Sequence, residues 1–66
     1  PPGWAISGYG YYSSICEAYT CTKKPFPTGT YSECDASTCD VGYHVSGYVP
    51  GAGSCNGNEK VFCTAP

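Results

Sequence analysis

The residues of this chain best equipped for covalent chemistry are six cysteines: Cys16, Cys21, Cys34, Cys39, Cys55 and Cys63. Cysteine can attack as a thiolate, ligate a metal or pair into a disulfide. Zinc sites draw cysteines from closely spaced pairs, often together with histidine. Here the intervening stretches run four, twelve, four, fifteen and seven residues, and His44 is the single histidine. An even count in a chain of 66 residues reads instead as three disulfides. Such frameworks persist in oxidising compartments, so the expected location is secreted or extracellular. Six cysteines allow fifteen connectivities. Loop entropy favours pairing between distant cysteines over closure of the short Cys-x4-Cys loops.

The other candidates for chemistry lead nowhere catalytic. On a straight strand Asp40, His44 and Ser46 share a face, but Asp40 and His44 then lie about 13 Å apart. A nucleophile, base and orienting group need hydrogen-bond reach. Glu17, Glu33, Asp35 and Asp40 cluster near the cysteines. Paired carboxylates hydrolyse glycosides only inside a cleft, so these read as solvated surface charge. Asn56-Gly57-Asn58-Glu59 offers oxygens without the alternating spacing of a calcium loop. The expectation is therefore no catalytic residue, no metal site, no cofactor and no enzyme activity.

Aromatic residues are more suggestive. Gly8-Tyr9-Gly10-Tyr11-Tyr12 follows Trp4 closely, and the chain holds seven Tyr. Tyr and Trp join a large apolar area to a polar handle, which suits contact surfaces. Trp4, Tyr9, Tyr11, Tyr12 and Phe26 form the expected contact set, with Phe26 lying between Pro25 and Pro27. Three uses compete for the tyrosines: filler in a small sheet, a face for protein contact or self-assembly, and a platform for sugar rings.

The elements that must carry these side chains have little to work with. There is no Leu, Met, Arg or Gln, and the large apolar side chains are few. Such a chain cannot build a conventional core, and crosslinks must offset the entropy of ordering it. Net charge is −2, with Lys23, Lys24 and Lys60 the only cations. That is too little positive charge for a phosphate backbone, so no nucleic-acid partner is expected. No stretch approaches the roughly 20 apolar residues of a membrane span, and no basic face is present, so no membrane insertion is expected. The chain begins at Pro1 without an apolar leader, which reads as a mature form or a cut-out piece.

Two segments repeat. Cys16-Glu17-Ala18-Tyr19-Thr20-Cys21 and Cys34-Asp35-Ala36-Ser37-Thr38-Cys39 share Cys-acid-Ala-x-Thr-Cys, each shortly after a Tyr-Ser step. A looser third copy runs from Gly53-Ser54-Cys55 to Cys63-Thr64. Each copy reads as a strand–turn unit too small to bury a face alone. Recurrent Gly and Pro between Tyr, Val and Thr give β composition with turn punctuation. Val41 to Val45 is the clearest strand, with Val41, Tyr43 and Val45 on one face. Tyr9 to Ile15, Tyr31 to Cys34 and Lys60 to Thr64 are further strands. Asn56-Gly57 signals a two-residue hairpin turn, since both residues tolerate positive φ. Lys23 to Thr30 is an extended connector. One helical turn over Glu17–Thr22 or Asp35–Asp40 is the alternative at those places.

The stretch Cys39-Asp40-Val41-Gly42-Tyr43-His44-Val45-Ser46-Gly47, with Cys55-Asn56-Gly57 and Cys63 beyond it, resembles the second half of a sushi (complement-control) module. That family has a Cys-x-x-Gly-Tyr-x-x-x-Gly step and a later Cys pair. The match spans about a third of the chain. Six cysteines rather than four, a short first half and no Trp before the last Cys stand against assignment. The resemblance implies a β-rich extracellular recognition module.

The expected fold is thus a small, disulfide-rich, mostly β module of short antiparallel strands and turns. The expected function is a non-catalytic extracellular module acting through protein contacts, with copies of itself as partner, as a structural or adhesive building block. Pro1-Pro2-Gly3 and Thr64-Ala65-Pro66 would suit one unit of a longer array. Thirteen Ser and Thr can accept O-linked glycans, and no Asn-x-Ser/Thr is present. The alternatives are a secreted inhibitor, toxin or effector presenting the Lys23–Thr28 loop, and a carbohydrate-binding module using Trp4 and nearby Tyr.

Overall fold

A computed structural model describes residues 3–66. The Pro1-Pro2 linker expected from the sequence lies outside the described residues. Five strands form: β1 (Trp4–Ser13), β2 (Ala18–Lys23), β3 (Gly29–Cys34), β4 (His44–Val49) and β5 (Lys60–Ala65). β1 and β2 make an antiparallel hairpin ribbon. The others make a three-stranded antiparallel sheet in the order β3-β5-β4. The fold is small, mostly β and disulfide-rich, as its composition predicts.

β5 occupies the centre of its sheet and obeys the two-residue period. Val61, Cys63 and Ala65 point inward and are buried, while Lys60, Phe62 and Thr64 are half-buried. Tyr31 on β3 stands opposite Cys63 and is 2% exposed. Together with Ala5 from β1, Tyr31, Val61 and Cys63 form the main core. Tyr43 meets Tyr31 edge to face, with ring centroids 5.0 Å apart. A second cluster joins Cys34, Ala52 and Cys55, with Tyr9 packed on it. The largest fully buried side chains are Tyr31, Val61, Cys55 and Cys63. Half-cystine and tyrosine do here what leucine does in larger cores.

The three disulfides are Cys16–Cys21, Cys34–Cys55 and Cys39–Cys63. The expected preference for distant partners holds for the last two and fails for the first. Hairpin closure explains the failure. The β1–β2 turn brings Cys16 and Cys21 to a Cα separation of 6.4 Å, within bonding range. Loop entropy does not weigh that local proximity. The two matched motifs therefore end differently, one closed on itself and one tied to the 55–63 segment. Glu17 and Asp35, the acidic second residues of the two motifs, nevertheless share a left-handed backbone, at φ 54° and 59°.

Four further expectations need correction. Val41 to Val45 is not a strand. Tyr43 N–H donates to Asp40 O at 3.1 Å, Gly42 takes φ 94°, and Val41 stands fully exposed on the turn. The Cys39 bridge and the seating of Tyr43 on Tyr31 bend the chain there, so β4 begins only at His44. Likewise, the Tyr9–Ile15 strand starts earlier, at Trp4, and stops at Ser13, leaving Ile15 exposed in the hairpin turn. Asn56 and Gly57 do adopt positive φ, at 57° and 81°. They close a 3₁₀ turn over Gly53–Cys55 rather than join two strands. Ala52 O accepts from the Gly57 N–H at 2.8 Å, and the Ala52 N–H donates to Asn58 O at 2.9 Å. Residues 52–58 thereby form their own closed loop around Cys55. Neither alternative helical turn forms: Ala18–Lys23 is strand, and Asp35 donates its N–H to Glu59 O at 2.8 Å.

Loop length and burial rank the three bridges. Paired Cys→Ser replacement at 16 and 21 should lower unfolding free energy by roughly 2 kcal/mol from loop entropy. The same change at 34 and 55, or at 39 and 63, should cost roughly 3.5 kcal/mol from the longer loop, with lost core packing added. Denaturant melts of the three double variants test the ranking; equal losses would contradict it.

Candidate functional site

The tyrosine-rich surface arises from a mismatch between β1 and β2. Ile6 faces Cys21 and Gly8 faces Thr20, so Ser7 is an extra residue on β1. Ser7 is buried, and its hydroxyl accepts from Thr22 Oγ1 at 2.8 Å. From the Gly8–Thr20 pair to the Ser13–Ala18 pair, β1 advances five residues and β2 only two. The surplus chain, residues 9–12, must arch away from the ladder. Thr20 Oγ1 braces the arch by donating to Tyr11 O at 3.2 Å.

Four tyrosines converge on this arch. Tyr9, Gly10, Tyr11, Tyr12 and Tyr19 line an open groove of about 380 Å³. Tyr9 and Tyr19 meet edge to face, their centroids 4.8 Å apart. Tyr9 is half-buried, and its hydroxyl donates to the Asp35 carboxylate, tying the ribbon to the end of β3. Tyr11 is 83% exposed and Tyr12 73%. Tyr9, Tyr11 and Tyr12 from the expected contact set thus come together. Tyr19 joins them unforeseen. It sits within the cysteine motif, and only the register of the bulged hairpin brings it beside Tyr9.

The other two members of that set lie elsewhere. Trp4 pairs with Lys23 at the far end of the ribbon and is half-buried. It lines an adjoining cleft of about 330 Å³ that shares Tyr9 with the groove and takes in Cys16 and Glu33 among others. Phe26 is 89% exposed on the β2–β3 connector. That connector is well anchored. The Lys24 N–H donates to Gly3 O at 2.7 Å, and the Tyr43 hydroxyl donates to Pro25 O at 2.5 Å. Gly29 takes φ 135°, and a Cβ there would lie 2.7 Å from Pro25 Cβ, so only glycine lets the proline ring fold in.

The sequence constellations find other partners. Asp40 pairs with Lys24, whose ammonium also lies 5.5 Å from the Tyr31 ring centroid. That hydrogen bond to Asp40 is the main reason the Lys24 pKa rises above its ordinary value, against a smaller opposing effect of burial. Ser46 Oγ donates to Phe62 O at 3.3 Å and accepts from Thr64 Oγ1 at 2.8 Å. His44 is exposed at the start of β4. Among the described residues, no group of three His, Cys, Asp or Glu is placed to hold a metal ion.

Tyr9 gives this surface an alkaline signature. Its pKa is raised, first by the hydrogen bond to Asp35, then by burial and by the Asp35 charge. The folded state thus favours the neutral phenol. Its contribution to stability is complete below about pH 10, the ordinary phenol value, and is lost as pH rises through the raised one. Wild-type melting temperature should fall across that alkaline range, and Tyr9→Phe should flatten the fall. Parallel pH profiles for the two proteins would refute the assignment. No family model, curated protein or solved structure matches this chain, and the likeness of Cys39–Cys63 to a sushi module extends to no family match.

Proposed function

We propose that this chain is a non-catalytic extracellular module that acts through protein contacts, as a building block of an extracellular assembly. The observation that carries the reading is the tyrosine groove. Tyr11 and Tyr12 are held outward by surplus backbone, and the core is filled without them. Large aromatic rings kept in water gain most when a partner covers them. Three disulfides are compatible with an extracellular setting. Among the described residues no helix is long and apolar enough to cross a membrane. The shared left-handed step at Glu17 and Asp35 supports descent of the two cysteine motifs from one repeated unit.

A second reading draws on the Phe26 loop. A phenyl ring 89% exposed between two prolines on a pinned connector suits a secreted effector or inhibitor that presents one rigid loop to a target. Solution mass separates the two readings. A building block should show weight-average mass rising from low micromolar to millimolar concentration in sedimentation equilibrium. A monomer throughout that range would remove the first reading and leave the second.

A further inference from the structure

We infer that copies of this chain join head to tail, with the Phe26 loop of one copy seated in the tyrosine groove of the next. This rests on the reading of the chain as an assembling module and names the contact that would build the assembly. The two features lie at opposite ends of the β1–β2 ribbon. Trp4 pairs with Lys23, and Lys24 N–H is bonded to Gly3 O, which fixes the connector at one end. Tyr19 lies four residues back along β2, about 13 Å away at strand spacing. Phe26 is not among the residues lining its own groove and stands in solvent. The connector is held back by the Tyr43 hydroxyl on Pro25 O and by the close packing of Pro25 on Gly29.

Size, stiffness and charge fit a second copy. A groove of about 380 Å³ exceeds the roughly 150 Å³ cavity that holds benzene, leaving room for the phenyl ring and an adjacent proline. Tyrosine rings offer faces and edges to both. The anchored connector loses little freedom on binding. The loop carries Lys23, which is exposed and in no ion pair among the described residues. The groove end carries Glu17, exposed in the turn before Tyr19, and Asp35, held by Tyr9. The basic loop and the acidic residues beside the groove attract one another, whereas two groove ends or two loops repel. A contact between different patches leaves a free loop and a free groove at the two ends of every oligomer, so it extends beyond the dimer, into a closed ring or an open chain. One loop in one groove buries little surface, so each link is weak and assembly depends on concentration.

Three proteins test this: wild type, Phe26→Ala and the double variant Tyr11→Ala/Tyr12→Ala. All three positions are exposed, so the fold should survive, which far-UV circular dichroism and an intact-disulfide mass confirm. Sedimentation of wild type should show species larger than a dimer as concentration rises, ending in a ring or growing without a limiting size. Each variant alone should need at least about tenfold more protein to associate. An equimolar mixture of the two should form a one-to-one heterodimer that grows no further, because it retains one loop and one groove. Phe26→Ala assembling like wild type would overturn the contact and leave the assembly reading intact. So would a mixture that forms no heterodimer while wild type assembles. A wild-type protein that stays monomeric throughout would overturn both.

Discussion

The fold depends on two crosslinks that converge on one strand and its flanking loop. Cys39–Cys63 pins the 35–43 segment to the middle of β5, and Cys34–Cys55 pins the 52–58 loop to the end of β3. Both Cys55 and Cys63 are fully buried, Cys63 beside Tyr31 and Val61 and Cys55 beside Cys34 and Ala52. So few apolar side chains cannot hold five strands against chain entropy without covalent help. The bridges serve twice, as constraints on the unfolded chain and as part of the core itself, to which Cys34, Cys55 and Cys63 belong. Tyr43 can lie on Tyr31, and so reach Pro25, because the Cys39 bridge has already turned the chain. The display of Phe26 follows from that sequence of contacts.

Tyrosine divides its labour across the molecule. Tyr31 is buried, yet its hydroxyl still accepts the Asp40 N–H at 3.3 Å. Tyr9 spans inside and outside, packing on the Cys34–Cys55 cluster while reaching Asp35. Tyr11 and Tyr12 have no inward partner. The surplus of β1 over β2 falls at these residues, and both stand exposed. A residue with an apolar body and one polar tip tolerates all three settings, which suits a protein lacking leucine.

Much of the framework was legible in the sequence. Composition alone announced a bridged β module, and β3 and β5 form over the expected Tyr31–Cys34 and Lys60–Thr64 strands, with β5 alone keeping a strict two-residue alternation of burial. Failures fell where tertiary geometry outranked pattern. The alternation of Val41, Tyr43 and Val45 is real, but a crosslink two residues earlier bends it into a turn. Asn56-Gly57 carries the backbone conformation its residue types predict, in a different structural setting. Bridge connectivity was hidden because it depends on where strands lie, and spacing does not encode that. The groove was half visible: Tyr9, Tyr11 and Tyr12 could be named, whereas Tyr19 needed the bulged register. Trp4 reaches this surface only through the cleft it shares with Tyr9, and Phe26 lies apart from it on the β2–β3 connector.

The bridges Cys34–Cys55 and Cys39–Cys63 interleave along the chain, and this has a mechanical consequence. The stretch from Cys34 to Cys63 would reach roughly 100 Å if drawn straight. With both bonds intact, tension passing along it takes the shortcut through the five residues from Cys34 to Cys39 and across to Cys63, a path of roughly 20 Å. Pulling on the chain can therefore disrupt the sheet while lengthening this part hardly at all. Under load the Cys34–Cys63 part behaves as an almost inextensible link, whose length is set by sulfur rather than by hydrogen bonds.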